Sequence, residues 1–176
     1  GYQVSQKEDE AGWIKLLGQV GNCLRGAKGF YIDGQLDLVS VMKAHFPDKP
    51  IQLCVFHKEL RIGQIIPLVH VRTEEDRWLK KVFEIILYDD NEIRALRYFL
   101  KLKLLKTVNR SKKQQQIYGI LNRNFALLMT HHRYPGMHRT NNVLEGFNGN
   151  ISQKFSVMRG LKKAKNIDRY VKLVLL

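Results

Sequence analysis

Asp33-Gly34 closes a short apolar run, GFYIDG, and places a carboxylate just past a candidate strand. Open α/β sheets hold their ligands at that position, outside the carboxyl ends of the strands. A plain Asp-Gly turn is the competing reading. Further along, Cys54 and His57 stand as C-x2-H at the end of IQLCVFH, a β-branched and aromatic run. Such a pair could supply half a zinc site. The other half would have to come from His131, His132 or His138, and no C-x2-C or H-x3-H partner is present, so zinc is not expected. A buried cysteine with a hydrogen-bonded histidine at a strand end is the commoner outcome. A Cys54 nucleophile served by His57 is weaker still, because no oxyanion hole is evident.

The third group lies in HRTNNVLEGFNGNI, residues 138–151. Asn142 and Glu145 have the spacing of a capping box, which would stabilise a helix start by about 1 kcal/mol. Glu145 also lies about 100° round that helix from the apolar Leu144, at the margin of the core, where it could be aimed at a strand end. Lys154, Arg159, Lys162, Lys163 and Lys165 follow, a basic flank suited either to phosphate contacts or to a solvated face.

Positioning these groups requires a layered fold. Residues 1–57 read as strand end, helix (7–24), strand, helix (36–46) and strand, an α/β arrangement with short connections. Glu8, Asp9 and Glu10 suit the first helix's N-terminus, and Asp37 suits the first turn of the second. After His57 the pattern turns helical. EEDRWLKKVFEIILYD presents Trp78, Leu79, Val82, Phe83 and Ile86 on one face, and the next helix presents Ile93, Leu96 and Leu100. IYGILNRNFALLM reads as one further helix through Leu121, Phe125 and Leu128, HHRYPGMHRTNN as a loop, and a last helical region opens at Val143. The expected division is a partial core over 1–60, a helical insertion over 61–137, and a region over 138–176 that completes the core.

Over 176 residues, 30 Lys and Arg face 16 Asp and Glu, a net charge of +14. That surplus suits a polyanion, most often nucleic acid, through counterion release. Two cysteines do not make a disulfide framework, and a reducing compartment follows. No apolar run approaches the roughly 20 residues that span a bilayer, so no membrane partner is expected. The expected location is cytoplasmic, or nucleoid-associated in a bacterium.

Taken in order, DG at 33–34, CVFH at 54–57, TNNVLEGFNGNISQKF at 140–155 and MRGL at 158–161 resemble the catalytic domain of DDE transposases of the bacterial insertion-sequence and Mutator-like type. The resemblance implies an RNase H-like core and DNA as partner, with cleavage and strand transfer at transposon ends by a protein dimer. It implies two Mg²⁺ (or Mn²⁺) ions held about 3.5–4 Å apart by three carboxylates. Asp33 matches the second aspartate and Glu145 the terminal glutamate. Cys54 and His57 match the C-x2-H signature in a positioning role, and Thr140, Asn141 and Asn142 set the entry of the glutamate helix. The family's first aspartate lies on an upstream strand, and Asp9, at a helix start, is a poor substitute. The chain is thus expected to be the C-terminal portion of such a protein and to be inactive by itself. Two other readings follow from the same residues. One is a non-catalytic basic nucleic-acid-binding relic or domesticated derivative, and the other a nuclease or resolvase sharing the metal site.

Overall fold

The computed structural model describes residues 9–108 and 111–140. Among these, two compact units are distinguished, one holding residues 9–28 and 35–49, the other Gly29–Gly34 and Pro50–Thr140.

The first unit contains helix α1 (Glu10–Leu24), which packs against helix α2 (Leu36–His45). Asp9 starts α1 by accepting a hydrogen bond from the Gly12 amide at 2.9 Å, and Glu10 adds a favourable charge to the first turn. Leu17 is buried in α1, and Val39, Val41 and Met42 are buried in α2.

The second unit is built on strands β1 (Phe30–Ile32) and β2 (Ile51–Leu53), paired in parallel with Phe30 opposite Ile51 and Ile32 opposite Leu53. A parallel pair cannot be joined by a tight turn, so the intervening chain, including α2, provides the crossover. Six helices follow: α3 (Val55–Gly63), α4 (Glu74–Tyr88), α5 (Glu92–Val108), α6 (Lys112–Asn122), α7 (Phe125–Leu128) and α8 (Thr130–Arg133). Among the described residues the fold is mostly helical with a small two-stranded parallel sheet, an α/β arrangement of modest β content.

Polar side chains begin three of these helices. Thr73 accepts from the Asp76 amide at α4 (3.1 Å), Asn91 from the Arg94 amide at α5 (3.0 Å), and Ser111 from the Gln114 amide at α6 (3.5 Å). Leu79, Val82, Phe83 and Ile86 of α4 are buried, as their spacing predicts. On α5 the spacing misleads. Ile93, Leu96 and Leu100 are exposed, while Ala95, Phe99 and Leu102 are buried. The Phe99 ring decides the face by stacking with Tyr118 of α6 and with Phe125, at centroid separations of 5.5 and 3.8 Å.

Three boundaries also differ from the expected ones. The single helix expected over 117–129 is broken because Asn124 adopts a left-handed backbone with φ of 71°, a conformation that Asn tolerates better than most residues. Part of the expected loop at 131–133 is the helical turn α8. The strand expected to run through His57 ends at Leu53, because the chain turns into α3 there.

Strand β2 is wholly buried although it carries a polar residue, Gln52, at its centre. Its amide donates to the carbonyls of Leu53 (2.7 Å) and Leu128 (2.9 Å), and its oxygen accepts from the His131 amide (2.7 Å). The Thr130 hydroxyl donates to the Ile51 carbonyl at 2.8 Å. Helices α7 and α8 thereby cover β2 with side-chain hydrogen bonds, satisfying buried polar groups that would otherwise be costly. Among the described residues, no helix is long and apolar enough to cross a membrane.

Candidate functional site at the carboxyl end of the sheet

Because β1 and β2 run in the same direction, their C-terminal ends share one edge. Asp33 leaves β1 there as an exposed residue, and Gly34 turns the chain with φ of +112°, which a residue with a side chain rarely adopts. Beside it the Cys54 amide donates to the Ile32 carbonyl at 2.8 Å, extending the parallel ladder to its last rung. Cys54 is fully buried and occupies the N-cap of α3, so His57, half-buried, lies in that helix's first turn. The C-x2-H pair therefore straddles a strand–helix junction. At this spacing both residues fall on one side of the helix, not on opposite faces of a strand.

The chain returns to the same edge much later. It first passes the amino end of β1, where a Cβ added at Gly29 would stand 2.9 Å from Met137 Cε, and then runs toward the carboxyl end. The His138 amide donates to the Tyr31 hydroxyl at 2.6 Å, and the Arg139 carbonyl accepts from the Val55 amide at 3.1 Å. Thr140, first residue of the TNN motif, is thus delivered to the start of α3. Arg139 fixes this return from the other side, its guanidinium donating to the Tyr88 carbonyl and the Asp90 carboxylate. The Tyr88 hydroxyl in turn donates to Glu59 of α3, and burial foremost, then this bond, pushes its pKa up.

Around Thr140 opens a cavity of about 380 Å³, lined by Asp90, His131, His132, Met137, His138 and Arg139 as well. The His131 and His132 rings lie 4.0 Å apart. His131 is held to a pKa of about 4 by burial first, then by the charges of His132 and Arg139. It is neutral at physiological pH and places Nδ1 3.1 Å from the Leu128 carbonyl.

Lys58, next to the motif histidine, is a residue that motif reading misses. It is 3% exposed, and its Nζ lies 3.8 Å from the position a Cβ on Gly34 would take. Burial first, then the Arg61 and Arg123 guanidiniums, hold its pKa below the ordinary lysine value. The sequence signal was only its adjacency to C-x2-H.

The structure therefore brings together Asp33, Cys54, His57 and Thr140. Asn141, Asn142, Glu145, Lys154, Arg159, Lys162, Lys163 and Lys165 lie outside the described residues, as does the expected capping box. Among the described residues no three His, Cys, Asp or Glu side chains converge as a metal site.

These features define a basic α/β protein whose separated motifs meet at one sheet edge. The sequence profile described as "Transposase, Mutator family" matches residues 1–176, the full chain. The chain belongs to this family of transposases, proteins that act on DNA. No curated protein and no solved structure matches it.

Proposed function

We propose that the chain is the catalytic portion of a DDE-type transposase with an RNase H-like core, cutting DNA at transposon ends and transferring the strand. One observation carries this reading: Asp33-Gly34, Cys54–His57 and Thr140, far apart in sequence, occupy one edge at the carboxyl end of a parallel sheet. Ligands of α/β sheets bind at such an edge.

In this reading Asp33 and Glu145 hold Mg²⁺ or Mn²⁺. The exposed Asp33 carboxylate is a hard oxygen donor and fits such an ion, whereas the buried Cys54 thiol does not. The bound ions supply activation of the attacking oxygen and stabilisation of the leaving oxygen. The chain's own residues do the rest. Gly34 sets the turn that presents Asp33. Cys54 and His57 fix the β2–α3 junction, and Arg139 anchors the return so that Thr140, Asn141 and Asn142 lead toward Glu145. Lys154, Arg159, Lys162, Lys163 and Lys165 contact DNA phosphates, and a dimer joins the two transposon ends.

Single-turnover cleavage and strand transfer on labelled transposon-end duplexes, using the full-length protein, test this reading. Asp33→Asn and Glu145→Gln are each expected to abolish both steps while DNA affinity stays within about twofold. Normal cleavage by either variant would refute the assignment. Wild-type protein that binds the duplex but never cuts it with Mg²⁺ or Mn²⁺ present would favour the DNA-binding relic.

A further inference from the structure

Lys58 is a cation buried where a charge is costly. An ammonium withdrawn from water needs compensation, and lysine is rarely buried without a partner. Here its Nζ reaches the Asp33-Gly34 turn and is the nearest non-neighbouring group to the Gly34 Cβ position. Arg61 follows one turn later on α3, at the i+3 spacing that places two side chains side by side. Arg123 caps the C-terminus of α6, the helix that packs against α3. The two guanidiniums lie close enough to disfavour the lysine's charge. Among the described residues no carboxylate forms an ion pair with any of the three. Lys58 stands at the turn, with Arg61 in the last turn of α3 and Arg123 at the end of the helix packed on it; like charges so disposed repel, and a bound anion relieves that repulsion.

We propose that Lys58, Arg61 and Arg123 form a phosphodiester-binding cradle beside Asp33-Gly34, which seats a backbone phosphate of the DNA next to the candidate catalytic edge. Lys58 supplies the buried point charge at the turn, and the two arginines supply planar donors toward solvent, since both are exposed. The phosphate is recognised by charge and not by base, so the cradle sets the register of the strand without reading its sequence. Its placement next to the reacting strand rests on the catalytic reading of Asp33; its phosphate binding does not.

The test measures affinity of full-length protein for a transposon-end duplex and for an unrelated duplex across a salt series. Lys58→Gln is expected to weaken both equally and to lower the slope of log affinity against log salt by about 1. Lys58→Arg should restore the slope, which repair of a purely structural defect would not do. Arg61→Gln and Arg123→Gln, at exposed positions, carry the test should Lys58→Gln fail to fold, and each should lower the slope similarly. Unchanged slopes in the folded variants would overturn the cradle, as would a loss confined to one DNA sequence. Asp33→Asn, assayed for cleavage alongside, separates the two ideas. Abolished cleavage with unchanged cradle slopes leaves the catalytic reading standing and removes the cradle. Intact cleavage with reduced slopes does the reverse.

Discussion

At the scale of single residues, His131 couples the sheet to solution pH. Its pKa of about 4 in the folded chain lies below the ordinary 6.5. Between those values the unfolded chain binds a proton that the folded chain refuses, so stability falls as pH drops from 6.5 towards 4. Melting temperatures across pH 7 to 4.5 should show this loss, and His131→Gln should flatten the profile; a variant curve parallel to wild type would contradict it. The sequence signals at this scale were uneven. Asp33, Cys54 and His57 were legible because strand ends and short motifs have local signatures. Lys58 was not, because a lysine beside a motif histidine looks like any surface lysine until α3 turns it inward. Gln52 was hidden for the same reason, since only the return of Thr130 and His131 explains a buried amide in the middle of a strand.

Among the elements, the N-termini of α4 and α6 are held together by charge. The Lys113 ammonium donates to the buried Asp76 carboxylate at 2.6 Å, and the Ser111 hydroxyl donates to Glu75. The Lys113 bond foremost holds the Asp76 pKa below the usual carboxylate range. Its stabilising contribution is thus present above that range and lost as pH falls through the folded-state value. Asp76→Asn should cost about 1–3 kcal/mol, read as a lower urea midpoint with an unchanged slope. An unaltered midpoint would show the pair to be idle. The helices α1, α2, α4 and α5 were expected from periodicity, but α3 and the buried face of α5 were not. That helix carries apolar residues on two sides, and only the stacking of Phe99 with Tyr118 and Phe125 selects one. The α6–α7 break was equally hidden, since Asn124 in its left-handed conformation interrupts a sequence of good helical spacing.

For the molecule as a whole, a net charge of +14 and a family match across 1–176 agree on a protein that acts on DNA. The ordered motifs foresaw the family, because their order is a property of sequence. They could not foresee how the chain is tied at the sheet edge, where Val55 meets the Arg139 carbonyl and Cys54 meets that of Ile32. The central claim is that Asp33 and Glu145 serve one metal cluster. A crystal structure of the full-length protein grown with Mn²⁺, with anomalous scattering recorded, tests it most directly. The account expects manganese peaks bound by both carboxylates; carboxylates more than about 10 Å apart, too far to share ions spaced about 3.5–4 Å, would contradict it.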